Sequence, residues 1–205
     1  MHRLVEPSDI VIVEFLMKLV AMDYWKPILF LLLLGLVVAG CNNQRSDWRT
    51  ASRESAGIAP DPAEVTEAVV HVYGADAWGW RGWFAIHTWI ATKRAGADYY
   101  VVYDVVGWRS YGGGQVVGIR RDIPDRHWYG AKPKLLKAHS GYDAELMIQE
   151  IDAAARSYPW ADIYKAYPGP NSNTFVAWIG EQVPQLELSL PFSAIGSGYV
   201  SEAES

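Results

Sequence analysis

The stretch YPGPNSNTFVAWI (residues 167–179) restricts the backbone more than any other in this chain. Pro168 and Pro170 each fix φ, and Gly169 between them lets the chain turn. Asn171, Ser172 and Asn173 follow, short polar residues of the kind that accept hydrogen bonds from the free N–H groups at a helix start. Phe175, Trp178 and Ile179 then recur at helical spacing, and Gly180 with Pro184 marks a stop. The pattern predicts a short helix over Asn173–Gln182, capped by one of the three polar residues. Two roles are open to Ser172. It can cap the helix, or it can be a nucleophile, because a helix N-terminus favours developing negative charge.

The N-terminal forty residues read as a targeting segment and not as part of a domain. Ile28 to Gly40 is an almost unbroken apolar run preceded by Lys18 and Lys26. It is shorter than the roughly 20 apolar residues a span needs, and it has the length of a signal-peptide hydrophobic region. It ends in Val38-Ala39-Gly40-Cys41, which resembles a bacterial lipobox with Cys41 as the lipidated residue. Glu6, Asp9 and Glu14 suit a signal peptide poorly, so Met17 and Met22 are alternative starts. Asn42 in place of an aspartate points to the outer membrane, facing the periplasm. Cys41 is the only cysteine, which leaves no disulfide, thiol nucleophile or cysteine metal site in the rest of the chain. From Cys41 onward 15 Lys and Arg stand against 19 Asp and Glu, a net charge of −4, which argues against a nucleic-acid partner.

Residues 41–62 are polar and rich in Ser, Arg and Pro, and read as a flexible tether. Residues 63–205 have the size of one domain. Val69, Val70 and Val72 indicate a first strand. FAIHTWIATK (84–93), YYVVYDVVGW (99–108) and residues 115–121 give three more, by their β-branched and aromatic content. Lys134–Lys137 reads as a helical turn. Ala144–Tyr158 is the clearest helix, with Leu146, Met147, Glu150, Ile151 and Ala154 in helical register and Pro159 as the stop. Residues 186–199 read as a last strand and a wrapping segment. The sum is an α+β fold, mostly antiparallel, with one long and one short Asn/Ser-capped helix. Tyr111-Gly112-Gly113-Gly114 lacks the surroundings of a phosphate cradle. The histidines lie on separate segments without ligand spacing. Neither a cofactor nor a metal is expected.

A two-residue turn at Ala95-Gly96 would place Lys93 opposite Asp98 and His87 opposite Asp104. A carboxylate beside an imidazole fixes its tautomer and stabilises its charged form. His87 would then lie on a sheet face able to meet the Ser172 helix, as a base or as a structural, hydrogen-bonded histidine. Trp80, Arg81 and Trp83, in an aromatic loop jointed by glycines, would wall a cleft or cap the core. Arg81, Arg120 and Arg121 are candidate clamps for a carboxylate or phosphate, or surface charges.

GWRGWFAIHTWIATK, YDVVGWR, YPGPNSNTFVAWI and LPFSAIG together resemble a bacterial family catalogued as domain of unknown function 3750. The resemblance covers nearly the whole domain and implies no activity. A more distant one is to the permuted papain-like superfamily, which includes the lecithin–retinol acyltransferase and PPPDE groups. There a histidine sits early on a hairpin strand, and a cysteine in an Asn-Cys-x-x-Phe setting starts a helix. His87 and Asn171-Ser172-Asn173-Thr174-Phe175 match that order, with serine in place of cysteine. The implied chemistry is amide or ester hydrolysis, or acyl transfer, on an envelope peptide or lipid. Ser172 would attack, His87 take its proton, Asp104 orient His87, and Asn171, Asn173 and Thr174 support the oxyanion. The alternative is a non-catalytic envelope binding domain that keeps the cleft without the thiol.

Overall fold

The computed structural model describes residues 26–35 and 47–200. The chain divides into two units, Met1–Arg45 and Ser46–Ser205. In the first, residues 26–35 are helical, and among the described residues no helix is long and apolar enough to cross a membrane. Cys41, the cleavage region and residues 42–46 lie outside the described residues.

The second unit is α+β, built on one antiparallel sheet of five strands in the order β4-β3-β2-β1-β5. The strands are β1 (Val69–Asp76), β2 (Ile86–Lys93), β3 (Val101–Val105), β4 (Val117–Arg121) and β5 (Lys134–Ser140). Two helices follow, α1 (Tyr142–Arg156) and α2 (Ser172–Gln182). Because side chains alternate along a strand, each strand presents one set of residues to each face. On one face Val70, Val72, Ile90, Tyr103 and Val105 pack against Met147, Ile148 and Ile151 of α1 and Phe175, Val176 and Ile179 of α2. Full burial of each such side chain contributes about 1.5–3 kcal/mol. On the other face Val69, Tyr73, Trp89, Ala91, Val102 and Trp128 form a second cluster.

That second cluster corrects the expectation of a flexible tether from Asp47 onward. Ile58, Ala59 and Val65 pack against it, and the segment is pinned by Asp125. The buried Asp125 carboxylate accepts hydrogen bonds from Ile58 N (2.6 Å), Ala59 N (3.1 Å) and the Ser55 hydroxyl (2.7 Å). Backbone bonds from His127 to Glu54 and from Gly130 to Ser52 extend the attachment. A polar composition reads as a linker, but here the backbone donors have partners far along the chain.

Three further expectations change. Lys134–Lys137 is strand and not helix, because it pairs with β1 across a register shift at Val72/Tyr73. Residues 186–199 form no strand. Pro184–Leu186 is a short 3₁₀ turn, and the remainder wraps, with Ser193 O accepting from Ile86 N. Leu146 is exposed, and Ile148 takes its place on the buried face of α1.

Replacing Asp125 by alanine leaves three donors without their charged acceptor, and is expected to cost about 2–4 kcal/mol. Limited proteolysis of Asp125→Ala should cut first within residues 52–62, while wild type resists there. Equal cleavage patterns would show that other contacts hold the segment.

Candidate functional site

The proline-flanked stretch folds as a polar knot at the start of α2. Asn171 is the cap, with extended backbone (φ −143°, ψ −167°), and its side chain accepts from Asn173 N and Thr174 N. The Thr174 hydroxyl accepts in turn from Asn171 N (3.1 Å) and donates to Gly196 O (2.7 Å). Asn171 Nδ2 donates to Ala166 O and Ile195 O, and Asn173 Nδ2 to Ile86 O and Ile195 O. The helix start is thereby tied to the head of β2 and to the C-terminal wrap. Gly196 is required for this closeness, since a Cβ there would run into the Asn171 amide. Asn171, Asn173 and Thr174 are thus fully engaged in holding the knot. Asn173 N and Thr174 N, the expected oxyanion donors, already point at the Asn171 side chain.

Ser172 is the first residue of α2 rather than its cap. It is buried, and its hydroxyl makes no hydrogen bond among the described residues, whereas its carbonyl accepts from Thr88 (3.4 Å). Thr88 also donates to Asn173 Oδ1 (2.9 Å). Because Thr88 faces α2, its neighbour His87 points to the opposite side of the sheet. His87 there stacks flat on Trp128, with centroids 3.5 Å apart and planes 9° apart. His87 and Ser172 therefore flank β2 from its two faces and make no hydrogen bond to each other.

The expected partnership of His87 with Asp104 is also corrected. The β2–β3 register pairs Ile90 with Tyr103 and Thr92 with Val101, two positions away from that set by a turn at Ala95-Gly96. The connection is longer than a two-residue turn, and Gly96 N bonds back to Thr66 O. Lys93 reaches the carbonyls of Glu67 and Arg94 instead of Asp98. Asp104 stays on the His87 face but is held by three arginines, Arg109 (2.8 Å), Arg120 (2.8 Å) and Arg126 (3.1 Å). Burial alone would raise the Asp104 pKa, but hydrogen bonding from Arg120 and the charges of Arg109 and Arg120 outweigh it and hold it below 3.8.

Burial pushes the His87 pKa down to about 3; Asp104 opposes this, and Arg126 and Arg109 reinforce it. Its Nε2 is buried and has no hydrogen-bond partner among the described residues. The ring is neutral across the physiological range, able to accept or donate one hydrogen bond and poorly suited to take a proton.

Ser172 and His87 nevertheless line one cleft of about 320 Å³ at the head of β2, within the size range of small-ligand sites. Its walls include Trp78, Trp80, Phe84, Trp108, Trp128 and Tyr164, with Arg81 at the side. Trp83 is largely exposed and does not line it. Gly107 lets Tyr164 lie against the backbone, because a Cβ would overlap its ring. Trp108, Trp128 and Tyr164 escaped notice in the sequence because they come from separate segments brought together only by the fold. Arg121 stacks on Tyr99 rather than joining the site.

Residues 67–199 match the family model described as Protein of unknown function (DUF3750). The chain belongs to this family. A search of curated proteins gave no match, and neither did a search of solved structures.

In wild type, unfolding lets His87 bind a proton that the folded state excludes. Its contribution is therefore lost as pH falls from about 6.5 toward 3. His87→Phe keeps the stack on Trp128 and removes the titration. Denaturant melts at pH 7 and pH 4.5 should show the variant losing less stability than wild type between the two. An equal loss would mean that His87 is solvated in the folded protein.

Proposed function

We propose that this chain is a lipid-anchored cell-envelope protein whose domain, of permuted papain-like plan, holds an envelope peptide or lipid group in the cleft between Ser172 and His87. The observation that carries the reading is the chemistry of the lining. Aromatic walls surround a neutral imidazole and a hydroxyl that is unengaged among the described residues, while the Asn171 and Asn173 side chains and the N–H groups of Asn173 and Thr174 are tied into the polar knot. Such a surface suits an apolar or ring-bearing group that exchanges one or two hydrogen bonds with the protein. Supporting the papain-like plan are the chain order, a histidine on a hairpin strand before a polar residue at a helix start, and the shared cleft. Supporting the anchor are the cationic and apolar leader and the small residues before Cys41. Asn42, in place of an aspartate after Cys41, supports outer-membrane placement facing the periplasm.

Acyl chemistry is the second reading, favoured by one observation: Ser172 Oγ has no hydrogen-bond partner among the described residues, and Ser172 lines the same cleft as His87. Ser172 would attack a carbonyl carbon and pass its proton to His87. Against this stand the position of His87 across β2, its low basicity and the capture of Asp104 by arginines. A serine needs a well-placed base and oxyanion donors.

Incubation with a fluorophosphonate probe separates the two. The binding reading expects no covalent labelling of the wild-type chain. A saturable quench of tryptophan emission by lysophospholipid monomers or peptidoglycan stem peptides should accompany this, weakened at least about tenfold, or about 1.4 kcal/mol, in Trp108→Ala. Labelling that is abolished in both Ser172→Ala and His87→Ala would establish the catalytic reading instead. For the anchor, Cys41→Ser is expected to move the protein from the membrane to the soluble fraction on cell fractionation. Unchanged membrane retention would remove the lipid from the account.

A further inference from the structure

Beside Trp108 and Trp128, β3, β4 and the loop after β4 line a second, smaller pocket. It has a volume of about 190 Å³ and is lined by Arg53, Arg109, Arg120, Arg126, Trp108 and Tyr129, with Asp104 also at its wall. Four guanidinium groups gather here. Among the described residues two carboxylates pair with them, Asp104 and Asp122. Asp125, next in the chain to Arg126, is occupied by Ser55, Ile58 and Ala59. Among the described residues the cluster thus sets four positive charges against two negative ones around a concave surface.

The groups are also held in place. Asp104 is 1 % exposed and binds Arg120 through two parallel contacts of 2.8 and 3.0 Å. Asp122 bridges Arg120 and Arg126, each at 2.9 Å. Arg109 donates to Val116 O at 3.1 Å and lies over Gly118, where any Cβ would collide with its guanidinium. Arg53 stacks on the Tyr129 ring at 4.3 Å and donates to Trp48 O at 2.8 Å. Fixed arginine forks with excess charge are the arrangement that recognises planar or tetrahedral oxyanions, because their donors match such oxygens in pairs.

We infer that this pocket is a binding site for an oxyanion group, a carboxylate or a phosphate, recognised by Arg53, which pairs with no carboxylate among the described residues, and by Arg109, which shares the single Asp104 carboxylate with Arg120 and Arg126. Asp104 and Asp122 act as the internal counter-ions that keep the arginines from repelling one another while the site is empty. The inference does not rest on the cleft reading, since the aromatic cleft and the arginine pocket share only the indoles of Trp108 and Trp128.

The test is a titration of the full chain in neutral-detergent micelles with inorganic phosphate and, separately, with acetate. Sodium chloride at matched ionic strength is the reference, and the indole N–H resonances of Trp108 and Trp128 are followed by NMR. A saturable shift with phosphate, acetate or both, with an apparent Kd of about 1–10 mM, is expected, and the stronger probe identifies the group. The affinity should fall at least about fivefold in Arg53→Gln, which leaves the Asp104 contacts untouched, and in Gly118→Ala, which displaces Arg109 without removing charge. Shifts that chloride reproduces, or affinities unchanged in both folded variants, would overturn the site.

Discussion

The hydrogen-bonding of Asn171 is the constraint on which the candidate site depends. One buried amide caps α2, anchors the wrap at Ile195 and holds the loop at Ala166. Asn173 repeats the arrangement toward β2. Each of these groups would be costly to bury unpaired, so the knot closes completely or the segment does not pack. Its closure sets where Ser172 ends up, and it also consumes the donors that an acyl-transfer site would use. Position and chemistry thus pull against each other at this helix start.

The sheet supplies the second constraint. Both of its faces are covered, one by α1 and α2 and the other by Ile58, Ala59 and Val65 and the loop carrying Trp128. A strand whose two sides are both buried directs adjacent side chains into different interiors. Thr88 enters the helical side and His87 the aromatic side. What brings His87 and Ser172 to a common surface is the end of β2, where the two layers open onto one cleft.

Local features were the legible ones. The β-branched runs gave β1 to β4, helical spacing gave α1, and the Pro-Gly-Pro-Asn sequence gave the capped start of α2. The register of β2 on β3 was not legible. It depends on how residues 94–100 fold against Thr66, and a shift of two positions preserves the face of His87 while moving Asp104 away from it. Residues 47–62 were misread because their polarity resembles a linker, and the acceptor that fixes them, Asp125, lies more than sixty positions away. Arg109, Arg120 and Arg126 share one carboxylate only after β3 and β4 pair. In the candidate site, the residue types at the helix start were visible in sequence, but the division between engaged and unengaged groups belongs to the tertiary structure.

The two outermost strands bear on how the molecule behaves among copies of itself. β5 carries Lys134 and Lys137 and breaks register against β1 at Val72/Tyr73, while β4 carries Arg120 and Arg121. Lateral addition of a neighbouring chain would have to bury these charges and follow a kinked ladder. The sheet borders therefore discourage edge-to-edge growth, so a domain this rich in tryptophan is guarded against forming fibrils through its own strands.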